Sequence, residues 1–200
     1  KLEQALARHP VADQGVRIWA ITLLAEMAAR IGEDAAAEKY FRQALAFDAA
    51  DSYLLAAWAD FLLDHGRATE VVKLLADKTR ADALLLRHAL ALKATSSPKA
   101  AQAIDALRAR FDAAMLRGDT VHQREQARFE LSLRNNPQAA VKLAKLNWAV
   151  QKEPADLRIL ADTAVASGDR EAAALVRDWL QKSRIEDSSI ASLKQLKAGA

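Results

Sequence analysis

Apolar residues recur along the chain at three- and four-residue spacing, the repeat of one face of an α-helix, in short segments broken at intervals. The breaks carry a period. Glycines stand at Gly32, Gly66 and Gly168; the first interval is 34 residues and the second 102, three times 34. Each glycine closes one apolar-periodic segment and a charged residue follows, as in Arg30-Ile31-Gly32-Glu33-Asp34, Asp64-His65-Gly66-Arg67 and Ser167-Gly168-Asp169-Arg170. A glycine just past a helix supplies the left-handed residue that ends it, so the next helix starts at once. The pattern therefore predicts paired helices in five units, 18–51, 52–85, 86–119, 120–153 and 154–187. The two middle units lack a turn glycine in this phase. There Ser97-Pro98 and Asn136-Pro137 each predict a helix N-cap followed by proline in the first turn. Thr120 with Gln123 has capping-box spacing and predicts the start of the fourth unit's first helix.

Composition agrees with an all-α chain. Alanine fills 46 positions and leucine 28, whereas Val, Ile and Thr together supply only 22, few for a protein built on sheets. With 52% hydrophobic residues, 6 Gly and 4 Pro, general disorder and collagen-like classes are excluded. The longest stretches without an acidic or basic residue, Ile18 to Ala25 and Ser52 to Ala59, fall far short of the about 20 apolar residues of a membrane span. Net charge is +3, but it is unevenly spread: residues 18–85 carry 7 positive and 11 negative side chains, and residues 86–153 carry 12 and 6. Such asymmetry either steers a partner or reflects solvated helix faces. Cysteine is absent, which removes disulfides, thiolate nucleophiles and cysteine metal sites and leaves the compartment open.

A helix–turn–helix unit of this length resembles the tetratricopeptide repeat. That family favours a small residue in the middle of the first helix, Gly at the turn, then a small residue, an aromatic and an alanine five, nine and twelve positions on. In 18–51 these fall on Ala25, Gly32, Ala37, Phe41 and Ala44; in 52–85 on Ala59, Gly66, Val71, Leu75 and the departing Lys78; in 154–187 on Ala161, Gly168, Ala173, Arg177 and Leu180, with the second half degraded. The resemblance implies a right-handed superhelical solenoid of antiparallel helix pairs over residues 1–200. Leu2, Ala5 and Pro10 have the spacing of the last turns of a second helix, so residues 1–17 are expected to end an upstream repeat. The tail 188–200, with Ile190, Leu193, Leu196, Lys194 and Lys197, is expected to form an amphipathic cap. The segment Asn147 to Asp156, with the Gly168-Asp169 turn and Trp179-Leu180, also resembles a group of uncharacterised bacterial repeat proteins. Many of those carry export signals, which implies a periplasmic or exported location over a cytoplasmic one.

The family resemblance implies a non-catalytic scaffold that binds a peptide or helix in a groove lined by the first helix of each pair. The second, fifth, ninth, twelfth and thirteenth residues of a unit would face it. These positions put Trp19, Thr22, Glu26 and Arg30 in the first unit, Tyr53, Asp60 and Asp64 in the second, Arg124 and Arg128 in the fourth, and Arg158 and Asp162 in the fifth. In the third, whose phase is uncertain, His88, Leu92 and Thr95 are the candidates. Such a groove would run from an aromatic, acidic end to a basic one and suit a protein or peptide of opposed charge order. Family members that clamp a terminal carboxylate place Lys and Asn where this chain has Thr22 and Glu26, so that ligand is not expected. A self-associating assembly module, with a homo-oligomer as the product, is the competing reading.

Nothing in the sequence assembles an enzyme. The histidines, His9, His65, His88 and His122, are never three or four apart, so no helix offers a histidine pair to a metal. There is no glycine-rich phosphate loop and no nucleophile elbow, so no cofactor is expected. Carboxylate pairs such as Glu33/Asp34 sit at helix starts, and His65 sits at a helix end, where each complements the dipole. Nucleic acid is a weaker reading. The middle of the chain is basic, but Phe111, Phe129 and Trp148 fall at core spacing rather than as stacking platforms.

Overall fold

A computed structural model describes residues 13–119 and 121–185, with Asp187, Ser188, Ile190 and Leu196. Leu2, Ala5, Pro10, Thr120, Leu193, Lys194 and Lys197 lie outside the described residues. Within them the chain is all-α, with ten helices and no strand. In order these are α1 (Gln14–Arg30), α2 (Asp34–Leu45), α3 (Ser52–Asp64), α4 (Ala68–Leu74), α5 (Asp82–Ala94), α6 (Ala100–Leu116), α7 (Gln123–Ser132), α8 (Pro137–Val150), α9 (Pro154–Ser167) and α10 (Arg170–Ser183). No helix among the described residues is long and apolar enough to cross a membrane.

A residue with positive φ follows every odd-numbered helix. Gly32, Gly66 and Gly168 have φ of 81°, 70° and 70°, and Ser96 and Asn135 take the same role at 51° and 54°. After α3, Arg67 donates to Leu62 O at 2.8 Å and Gly66 to Leu63 O at 3.1 Å; after α5, Ser97 donates to Leu92 O at 2.9 Å and Ser96 to Lys93 O at 3.0 Å. These bonds satisfy carbonyls that the helix end would otherwise strand. The middle turns were hidden in the sequence because they use Ser and Asn, and because they fall four residues before and one residue after a strict 34-residue step. A further glycine, Gly118 (φ 71°), closes α6 between two pairs.

Of the caps expected from the sequence, Asn136 makes one, and Asp51 and Asp169 are two that were not read there. Asp51 accepts from Leu54 N at 2.7 Å, Asp169 from Ala172 N at 2.8 Å, and Asn136 from Ala139 N at 3.2 Å with Pro137 as the first helical residue. The expectation for Ser97 needs correction. It opens a turn (Ala100 N to Ser97 O, 3.0 Å), and α6 begins three residues later.

The helices fall into two compact units, one running to Arg87 and taking in Ser188, the other beginning at His88 and taking in Ile190 and Leu196. In the first, α1 packs on α2 and α3, and α3 packs on α2 and α4. Phe41, Trp58 and Phe61 form its aromatic centre, with ring centroids 5.2 to 5.5 Å apart. In the second, α7 packs on α8 and α9, α8 on α9, and α9 on α10. Its core gathers Val141, Trp148, Leu157, Leu160, Val176, Ile190 and Leu196. Each odd-numbered helix also carries an alanine with no exposed surface: Ala25, Ala59, Ala89, Ala127 and Ala161. A larger side chain at a position already fully enclosed would overpack its surroundings.

Two departures noted in the sequence have local causes. Lys78 misses the alanine position because α4 stops at Leu74. Arg177 misses the aromatic position because the buried face of α10 runs through Ala172, Val176 and Leu180, the first two of them one residue before the repeat positions Ala173 and Arg177.

The turns allow a test of opposite signs. A Cβ on Gly66 would meet nothing within 4 Å, so Gly66→Ala carries a backbone cost alone, about 1 kcal/mol. Ser96→Gly relieves that same strain and stabilises by about 0.5 kcal/mol. Urea midpoints measure both, and shifts of the same sign would contradict the turn assignment.

Candidate functional site

In the first unit Trp19 of α1 is 54% exposed and Tyr53 of α3 is 45% exposed, both high for large aromatics. Tyr53 Oη donates to Glu26 Oε2 of α1 at 2.6 Å, tying consecutive odd-numbered helices together. Asp60 does the same work one helix on. Its Oδ2 accepts from Arg87 Nη2 at 2.6 Å and Nε at 3.0 Å, and the same guanidinium donates to the carbonyls of Ala56 and Ala83. Asp64 is exposed and Arg30 is half-buried. The Arg30 backbone carbonyl accepts from Ser188 N at 2.8 Å and Ser188 Oγ at 2.9 Å. Thr22 is the correction on this face. It is fully buried, and its hydroxyl donates to Ile18 O at 2.8 Å within α1, so it presents nothing to a partner.

In the second unit the expected basic stretch is largely committed to internal contacts. Arg124 Nη1 lies 3.3 Å from Asp156 Oδ1 and 3.2 Å from Glu153 Oε2, and its Nε lies 3.4 Å from Glu125. Burial works against the charge of Arg124, but Glu125, Asp156 and Glu153 outweigh it and raise its pKa. Arg128, Arg158 and Asp162 are half-buried, and Arg158 Nε sits 3.8 Å from Asp162 one turn on in α9. His88 is half-buried on α5, and its Nδ1 has no partner among the described residues. Burial and the nearby Lys99 hold its pKa below the ordinary histidine value. Of the other two third-unit candidates, Leu92 is buried and Thr95 bonds its own helix at Ala91 O, 2.9 Å.

The residue that sequence reasoning missed is Asp156. It is fully buried at the start of α9 and accepts from Asn147 Nδ2 and from Glu153 N, both at 2.8 Å, besides facing Arg124. The available signal was Glu153-Pro154-Ala155-Asp156, an acidic capping box with proline at its first helical position.

Even-numbered helices carry their own ion pairs. Arg67 bridges Glu38 at 2.9 Å and Glu70 at 2.7 Å, and Arg42 joins Glu38 at 2.6 Å. Hydrogen bonds from Arg67 and then Arg42 hold the Glu38 carboxyl below the usual carboxylate range. Lys145 reaches Glu171 at 2.7 Å and Asp169 at 3.1 Å, which raises its pKa. These side chains are partly exposed, and such pairs contribute little individually.

A cleft of about 200 Å³ in the first unit is lined by Leu55 and Leu84 with Asp77, Lys78 and Arg80. That is below the range of about 300–1,000 Å³ usual for small-molecule sites. No known protein family, curated protein or solved structure matches the chain.

Proposed function

We propose that the chain is a non-catalytic interaction scaffold of the tetratricopeptide type, a right-handed solenoid of helix pairs that takes a peptide or helix along its odd-numbered helices. The observation that carries this reading is the periodic build. Among the described residues a left-handed residue follows each odd-numbered helix, α1 packs on α2, α3 on α4, α7 on α8 and α9 on α10, and α1 packs on α3 as α7 packs on α9. Stacking of this kind buries one side of each odd-numbered helix and leaves another open. Trp19 and Tyr53 stand on that open side of the first unit. With Glu26 bonded to Tyr53 and Asp60 to Arg87, the acidic groups already have internal partners, so aromatic surface rather than charge dominates recognition there.

Panning a displayed peptide library over the wild-type chain, followed by titration of the enriched sequences, tests the reading. Trp19→Ala is expected to weaken binding about tenfold with the melting temperature unchanged, since the ring is half in solvent. Enriched peptides that bind Trp19→Ala and Tyr53→Ala as well as the wild type would overturn the assignment.

Self-association has its own support in large apolar side chains left open in the second unit, among them Leu116 at 90% and Val150 at 76% exposure. Sedimentation over a range of concentrations decides it. A strict monomer removes this second reading and leaves the first untouched.

A further inference from the structure

We propose that His65 is a proton-operated clasp in the first unit, fastening the end of α3 to the start of α2 when its imidazole carries both protons. The geometry carries the argument. His65 Nδ1 lies 2.7 Å from Phe61 O, a carbonyl in the last turn of α3, and His65 Nε2 lies 3.1 Å from Asp34 Oδ2 in the first turn of α2. Each ring nitrogen thus faces an oxygen that can only accept. A neutral imidazole has one N–H, so either tautomer leaves a lone pair against one of these oxygens. The imidazolium donates to both.

The surroundings reinforce the cation. The negative end of the α3 dipole lies beneath the ring. The Phe61 ring sits with its centroid 4.2 Å from that of His65, close enough for a cation–π attraction. Neighbouring charges come from several elements. Asp34 is on α2 and Asp64 adjoins on α3. Glu38, one turn beyond Asp34, is taken up by Arg42 and Arg67, and Arg67 is shared with Glu70 of α4. Glu26 of α1 is bonded to Tyr53, and Arg87 of α5 to Asp60. Asp34 and Asp64 both act on the ring in the same sense and favour its charged form. The Phe61 carbonyl first, and Asp34 with it, raise the pKa of His65 against the opposing effect of burial.

The sign follows. Because the folded value is raised, the stabilisation is complete below the ordinary histidine value of about 6.5 and is lost as pH rises through the folded pKa. His88 acts the other way: its lowered pKa removes stability as pH falls. A bulk melting curve mixes the two, so the test must be specific to the site. The clasp needs no bound partner.

Imidazole titration by NMR and amide hydrogen exchange read it on the intact chain. The His65 ring is expected to titrate above 6.5, and Asp34→Asn is expected to bring it down. Amides at the start of α2 should lose protection several-fold between pH 6 and pH 8.5, after correction for intrinsic exchange, and His65→Gln should abolish that pH dependence. A His65 ring that titrates at or below 6.5, or one whose titration is unmoved by Asp34→Asn, overturns the proposal. Asp34→Asn serves alone if His65→Gln fails to fold.

Discussion

Asp156→Ala is expected to lower stability by about 3 kcal/mol, an effect far larger than any exposed ion pair in the molecule would give. The reason is what the carboxylate leaves behind. Asp156 has no exposed surface, and three donors converge on it: the Asn147 side-chain amide, the backbone N–H of Glu153 and the Arg124 guanidinium. Deleting the acceptor strands a buried amide and opens the first turn of α9 while removing a counter-charge from Arg124. Each consequence costs on the order of 1 kcal/mol or more, because a buried donor without an acceptor has lost its water and gained nothing. Asp156→Asn should cost less, since it keeps the volume and one acceptor oxygen. The Asn147 coupling can be isolated. In an Asn147→Ala background, Asp156→Ala should cost less than in the wild type, because one stranded donor is already gone. Chemical denaturation measures all four members of the cycle. Equal costs in both backgrounds would show that the Asn147 bond contributes nothing.

The same network explains why more of the fold than of the site could be read from the chain. The helix pairs were legible because glycine at Gly32, Gly66 and Gly168 is a local signal, fixed by the backbone conformation of a single residue. Ser96 and Asn135 take up the same conformation at some cost, which composition does not announce. Register within the last pair was hidden for a related reason. Ala173 and Ala172 are the same residue type, and only packing decides that Ala172 faces the core. The site was harder still. Position within a repeat predicted that Glu26, Asp60 and Arg124 would lie on one kind of face. It could not say that a tyrosine or arginine of the next odd-numbered helix would claim the first two, or that Arg124 would turn toward a buried aspartate 32 positions along the chain. Thr22 fell out because its short side chain lies on the packed side of α1, where its hydroxyl can return to its own helix. Spacing reports which residues share a face; it does not report which of them already have partners.

Phe41→Ala is expected to be the most damaging single change in the first unit, at about 3–5 kcal/mol. Phe41 is 1% exposed and stands between rings of another helix, 5.2 Å from Trp58 and 5.5 Å from Phe61. Truncation removes the transfer energy of a whole ring and leaves a cavity between α2 and α3. Rigid aromatic neighbours collapse poorly into such a void, which places the loss toward the upper part of that range. Trp58 and Phe61 are themselves stacked at 14°, so each would lose one edge of its packing while keeping the other. Phe41→Leu is expected to cost about 1–1.5 kcal/mol, because it restores most of the volume without the aromatic contacts. Urea unfolding followed by far-ultraviolet circular dichroism gives both numbers. Against a typical domain stability of about 5–15 kcal/mol, the alanine variant should unfold at a much lower urea concentration. A loss below about 1.5 kcal/mol would mean that α2 and α3 close over the gap. The aromatic cluster would then be a filler rather than the joint between the first two helix pairs.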